Sequence, residues 1–159
     1  MNTIYLLLGS NMNDPEKQLN VAKKEINGQL GPITRESKLY QTAAWGNTKQ
    51  SDFLNQVIIV QSNMKAADCI ETTMLIETNM GRVRTEKNAP RLIDIDILYF
   101  NKDIIHTQNL IVPHPEIENR RFVLTPLNEL SPKFIHPILK KNNHELLLDC
   151  KDTLDVKKI

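Results

Sequence analysis

Gly81-Arg82-Val83-Arg84-Thr85-Glu86-Lys87-Asn88-Ala89-Pro90-Arg91-Leu92-Ile93-Asp94-Ile95-Asp96-Ile97-Leu98-Tyr99-Phe100 runs from a helix stop, through a basic loop, into a strand. Gly81 suits the position just past a helix end. In the loop, Arg82, Arg84, Lys87 and Arg91 stand against one acid, Glu86. The β-branched and aromatic run Ile93–Phe100 then reads as a strand. Strand side chains alternate between faces, so Asp94 and Asp96 share one face, about 7 Å apart along the chain. Ile93, Ile95 and Ile97 turn the other way, into a core. Two carboxylates on a sheet face are costly unless a cation or water serves them.

Such a pair can hold hard divalent cations, and the upstream arginines can take phosphate oxygens bidentately. A solvated acidic face beside a charged loop accounts for the same residues. The strand pattern by itself leaves both open.

Working outward, 159 residues with 40% hydrophobic and 25% charged content fit one soluble domain, residues 1–159. A net charge of +1 argues against a general nucleic-acid or membrane binder. Ile4-Tyr5-Leu6-Leu7-Leu8 is too short to span a bilayer and lacks a charged lead, so it reads as a strand and not a signal peptide. Cys69 and Cys150 stand alone without metal-type spacing, which points to free thiols and a cytoplasmic location.

Asp14-Pro15 marks a helix start, Leu19, Ala22 and Ile26 form its apolar stripe, and Asn27-Gly28 is its expected stop. Ile33–Tyr40 is a polar strand candidate. The long connection Gln41–Asp52, with the only tryptophan at Trp45, is the length of a functional loop or of a disordered one. In the strand Phe53–Val60, Phe53 and Asn55 share a face, pairing a stacking surface with an amide. A second helix from about Met64 to Met80 carries Ala66, Ala67, Ile70, Met74 and Met80, with Glu77 on the same stripe. Glu77 needs a partner there: an ion pair with Arg82 or Arg84, or a ligand. Ile104-Ile105 and Leu110–Val112 are short strand candidates. Val112-Pro113-His114-Pro115 then holds His114 between prolines, and Asn119-Arg120-Arg121-Phe122 opens an amphipathic stretch to Leu130. Residues 151–159 read as a loose tail. The element order predicts an α+β, ferredoxin-like sandwich: a mainly antiparallel sheet, two helices on one face and the other face free for a ligand.

Lys87-Asn88-Ala89-Pro90-Arg91-Leu92-Ile93-Asp94-Ile95-Asp96-Ile97-Leu98 closely resembles the signature of the 6-hydroxymethyl-7,8-dihydropterin pyrophosphokinases of folate biosynthesis. The resemblance extends to Leu8-Gly9-Ser10-Asn11, Phe53-Leu54-Asn55, Glu77 with Gly81–Arg84, and Val112-Pro113-His114 with Asn119-Arg120 and Phe122. It implies pyrophosphoryl transfer from ATP to the pterin hydroxymethyl group. Asp94 and Asp96 would hold two magnesium ions, with Arg82, Arg84 and Arg91 as further catalytic residues. Ile70, Met74, Glu77, Arg84, Arg91, Ile97, His114, Pro115 and Arg120 would bind ATP. Thr42, Ala43, Trp45, Phe53, Asn55, Asp94 and Phe122 would bind the pterin. The loop 82–91 would close over the nucleotide. Asn88 stands where the family commonly has an aromatic. The partners implied are these two small molecules, with no nucleic acid or membrane, and a monomer is expected. A ferredoxin-like module binding RNA or a small anion is the competing reading.

Overall fold

The computed structural model describes residues 1–43, 51–81 and 92–159. Its sheet is organised on β1 (Asn2–Ser10), which pairs antiparallel with β4 (Phe53–Ser62) on one side and β5 (Asp94–Phe100) on the other. The far side of β4 takes β2 (Ile33–Glu36) and then β3 (Tyr40–Thr42). The expected single strand Ile33–Tyr40 is thus two. Ser37 makes the break: its hydroxyl accepts the Val57 N–H at 3.0 Å and donates to Lys38 O at 2.8 Å, replacing a regular ladder step. A separate ribbon joins β6 (Ile105–His106) and β7 (Ile111–Val112).

One face carries α1 (Pro15–Gln29) and α2 (Ala66–Asn79). The Asp14 carboxylate caps α1 through Lys17 N, and Leu19, Ala22 and Ile26 are its buried stripe, as expected. The helix continues through Gly28 and ends before Gly31, where φ is +153° and an added Cβ would lie 2.0 Å from Gln61 O. Only glycine fits that approach. On α2 the buried residues are Cys69, Thr73, Ile76 and Glu77, while Met74 is 44% exposed. Of the stripe read from the sequence, Glu77 is buried and Ala66, Ile70 and Met80 pack partly buried against the core, while Met74 turns outward and Cys69, Thr73 and Ile76 take the fully inward positions. Together with Leu6, Leu8, Ile58, Ile95 and Ile97 these helices enclose the larger core.

The other face is not free. Helices α3 (Arg121–Leu130) and α4 (Asn143–Asp149) cover Tyr5, Leu7, Val57, Ile59, Leu98 and Tyr99 in a second core. A register shift opposite Tyr5/Leu6 lets Leu98 and Tyr99 both enter it. Residues 151–159 are likewise not loose: β8 (Val156–Lys158) pairs antiparallel with β3. Beyond this second core, at the end of the sheet, lie Gly9 and Asn55, both buried, and the half-buried Asp94.

Candidate active site

Strand register puts a row of residues across that end of the sheet. Tyr40 pairs with Asn55, Asn55 with Gly9, and Gly9 with Asp94. Directly opposed residues in antiparallel strands project to the same face. Asn55 and Asp94 therefore flank a residue without a side chain, two strand spacings or about 9–10 Å apart. The Gly9 gap is a floor: a Cβ there would lie 3.2 Å from Asn55 Oδ1 and 3.9 Å from Phe53 Cδ1. Asn55 Nδ2 donates to the Thr42 hydroxyl at 3.0 Å, which fixes the amide with Oδ1 on the Gly9 side. Buried, half-buried and edge groups thus converge, with Phe53 offering a half-buried ring beside the floor. Asn11 Nδ2 donates to Ser51 O at 3.1 Å, pinning the turn after β1 to the start of β4.

Asp96 is one step along, opposite Leu7, and half-buried like Asp94. It also lines a groove of about 270 Å³ around the outer edge of β5, with Ile70, Ile95, Ile97, His114 and Pro115. Gln108, Asn109, Leu110 and Ile111, from the β6–β7 connection, form the remaining wall. These four were missed from sequence; the turn carries no motif, and only the ribbon's docking reveals it. Met74 lies outward on α2, and Glu77 points inward, 3% exposed, its Oε2 accepting the Ile95 N–H at 2.8 Å. Glu77 thereby anchors the start of β5.

His114 bonds back to β5 through its N–H to Leu98 O at 3.0 Å. Its Nδ1 accepts the Glu116 N–H at 3.1 Å, so Nε2 carries the proton of the neutral ring and is a donor. Burial, then the Arg120 guanidinium, hold the His114 pKa below the ordinary value; Glu116 and Asp94 oppose. His114 is thus within electrostatic reach of both Arg120 and Asp94. Arg120 lies 5.8 Å from the ring centroid of Phe122, and both residues project from the start of α3. Ala43 follows β3 and is exposed. Trp45, Arg82, Arg84, Arg91 and the loop expected to close over the nucleotide lie outside the described residues.

The sequence model for 7,8-dihydro-6-hydroxymethylpterin-pyrophosphokinase (HPPK) matches residues 5–132. The chain belongs to this family. A pyrophosphokinase of Bacillus subtilis named for 2-amino-4-hydroxy-6-hydroxymethyldihydropteridine is 38% identical over 130 residues, 81% of this chain and 78% of that protein. One of the same name from Aquifex aeolicus is 38% identical over 141 residues, 89% of this chain and 88% of that protein. A folic acid synthesis protein of Dictyostelium discoideum is 37% identical over 148 residues, 93% of this chain. This chain spans only 22% of that protein. A crystal structure of Plasmodium falciparum HPPK-DHPS superposes with TM-score 0.77 at 18% identity, covering 93% of this chain and 42% of that one. The likeness bears on the fold alone, and agrees with the α+β, ferredoxin-like class.

HPPK membership supports an enzyme that transfers pyrophosphate from ATP to hydroxymethyldihydropterin in folate synthesis. It sets aside the RNA- or anion-binding module. Among the described residues no helix is long and apolar enough to cross a membrane. Gly9 is the site residue whose role the sequence hid: it sits in the Leu8-Gly9-Ser10-Asn11 motif, but its function as a floor depends on which residues lie beside it.

Proposed function

We propose that this chain binds the pterin over the Gly9 floor and ATP in the groove at the β5 edge, and transfers the pyrophosphoryl group where they meet. The observation that carries the reading is the position of Asp94 and Asp96. Asp94 belongs to the row with Gly9 and Asn55, while Asp96 lines the edge groove. The pair stands at the junction of the two binding regions.

Asn55 Oδ1 accepts from the pterin edge, and Phe53 and Phe122 stack on its faces. Ile70, Ile97 and the Gln108–Ile111 wall take the nucleotide. His114 donates from Nε2, and Arg120 pairs with phosphate oxygens, as do Arg82, Arg84 and Arg91. In the reaction the pterin hydroxyl oxygen attacks the β-phosphorus of ATP. The bond from the β-phosphorus to the α,β-bridging oxygen breaks, AMP leaves with that oxygen, and the hydroxyl proton passes to water. Phosphoryl chemistry of this kind depends chiefly on positioning and charge stabilisation, so no strong side-chain nucleophile is needed.

The donor set fits magnesium. Among the described residues no group of three or more His, Cys, Asp or Glu side chains forms a metal cage. Magnesium uses one or two carboxylates and completes its shell with water and substrate phosphates. Asp94 and Asp96 would hold two ions, which neutralise phosphate charge when bound. A monomer and a cytoplasmic location accompany this reading. The test is incubation with ATP, magnesium and the reduced pterin, with AMP quantified. AMP in step with pterin diphosphate is expected; ADP as the product would overturn the assignment.

A further inference from the structure

We propose that the C-terminal segment from Cys150 to Lys158 is a strap that sets the spacing between the two walls of the pterin site, with Asp152 and Arg121 as positioning residues. The inference rests on the reading above that Thr42, Asn55 and Phe122 contact the pterin.

Helix α3 begins at Arg121, and the side chain of its N-cap residue, Arg120, makes no capping bond. Exposed N–H groups of a first turn need partners. Asp152 supplies one from thirty-odd residues away: its Oδ2 accepts the Arg121 N–H at 3.1 Å. Arg121 answers with its side chain, Nε donating to Asp152 O at 3.0 Å and Nη2 to Cys150 O at 3.4 Å. The second oxygen, Asp152 Oδ1, takes the Leu154 N–H at 2.9 Å and turns the chain. One carboxylate therefore joins the start of α3 to the bend that launches β8.

From that bend the chain reaches the opposite wall. Val156 pairs with Thr42, Lys157 with Gln41 and Lys158 with Tyr40, and Ile159 N donates to Leu39 O at 2.9 Å. Thr42 is the residue whose hydroxyl orients Asn55. The strap thus runs from the helix end bearing Arg120 and Phe122 to the strand that fixes the pterin-reading amide.

The far end of α3 is tied independently. The Glu129 carboxylate accepts the Tyr40 hydroxyl at 2.6 Å and the Lys38 N–H at 3.0 and 3.1 Å. With Glu129 as the fixed end, loss of the Asp152 contacts frees the near end to pivot. That end carries Phe122 and, at the N-cap, the phosphate-pairing Arg120, whereas the walls of the nucleotide groove come from β5, α2, the β6–β7 ribbon and the His114–Pro115 turn. The strap should therefore bear more on pterin binding than on nucleotide binding, where Arg120 is one contact among several.

The experiment compares Asp152→Ala, Asp152→Asn, Phe122→Ala and the Asp152→Ala/Phe122→Ala double variant. Pterin binding is measured by calorimetry with a non-hydrolysable ATP analogue present, analogue binding is measured alone, and each melting temperature is recorded. Asp152→Ala is expected to weaken pterin binding about tenfold, a loss of the size of one capping contact. Analogue affinity should stay within about threefold, well short of that tenfold loss. Asp152→Asn keeps an acceptor oxygen and should recover most of the loss. Because the strap acts through Phe122, the double variant should bind no more weakly than Phe122→Ala. Normal pterin binding by Asp152→Ala overturns the strap while the wall stands. So does an equal loss of both ligands with a lowered melting temperature, which marks a purely structural tie. Effects that multiply in the double variant overturn it as well. Unchanged pterin binding by Phe122→Ala removes the wall itself, and the strap falls with it.

Discussion

Replacing Gly9 with alanine tests the site with the smallest change available, one methyl group. The new Cβ would lie 3.2 Å from Asn55 Oδ1, with Leu54 O and Phe53 Cδ1 both at 3.9 Å. The last two are ordinary contacts. The first is a few tenths of an ångström too close, so the amide must shift, and the 3.0 Å bond to Thr42 must stretch with it. Gly9 is within a strand, where alanine regains roughly 0.5–1 kcal/mol of backbone entropy relative to glycine. That gain and the Asn55 displacement nearly cancel, so the melting temperature should change little. Ligand binding has no such offset. The methyl stands on the floor between Asn55 and Asp94, where the pterin ring is to lie, and overfilling a packed site costs about 1–3 kcal/mol. The pterin dissociation constant should rise about five- to over a hundredfold. An ATP analogue in the β5-edge groove should bind as before. Calorimetry with each ligand, beside a thermal melt, reads all three quantities. Wild-type pterin affinity in Gly9→Ala would refute the floor, since no ring could then lie against that position.

Asp96→Ala should lower turnover about a thousandfold or more by removing a hard-oxygen ligand from the junction, while the melt stays cooperative; near-normal turnover in limiting magnesium would contradict the ligand role. Phe122→Ala should weaken pterin binding about ten- to a hundredfold, as stacking is worth roughly 1–3 kcal/mol per ring, with ATP-analogue binding little changed in calorimetry. Acidification should destabilise the fold: His136 Nδ1 accepts from Ile138 N and Leu139 N at 3.2 and 3.1 Å, and burial, opposed by Glu118, holds its pKa low. The unfolded chain takes the proton near pH 6.5 and the folded one only lower, so stability present above about 6.5 is lost as pH falls through the folded value; melts from pH 7.5 downward should show it, more weakly in His136→Asn. Arg84→Ala should reduce kcat more than ATP affinity, because contacts to phosphate oxygens strengthen as charge develops; steady-state kinetics separate the two.

The parts of this molecule that were legible in its sequence are those fixed by local pattern. A period of two placed Asp94 and Asp96 on one face without knowledge of any partner strand. Asp14-Pro15 marked the start of α1 because capping chemistry is local. Other features depended on contacts that no short window contains. Met74 is apolar yet exposed, and Glu77 is charged yet buried, because the Ile95 N–H gives its carboxylate an inward partner. Helix α4 has seven residues, too few for a periodic stripe, and its local signal is the reciprocal cap between Asn142 and Glu145. Strand β8 has a single apolar residue, Val156, among charges, and exists by pairing with β3. Gly9 stands in the Leu8-Gly9-Ser10-Asn11 motif, but only the register against Asn55 and Asp94 makes it a floor.

The same register explains why the two carboxylates belong on an edge strand. An interior strand offers a ligand its two faces, but its sides are occupied by neighbours. Among the described residues β5 is paired within the sheet with β1 alone, which leaves its outer side to the groove. Unpaired edges invite unwanted strand addition. Here the His114 N–H bonds to Leu98 O, and Gln108–Ile111 close the outer wall, so the edge becomes one side of a groove. A ligand on the sheet face and a ligand at the edge can then approach the same two residues from different directions. Asp94 belongs to the face and Asp96 to both, and the two are consecutive on one side of the strand. Bringing two anionic or electron-rich groups together requires positive charge between them, and acidic residues supply it only by recruiting cations. On the function proposed above, magnesium held by Asp94 and Asp96 would supply that charge where the pterin and ATP would meet.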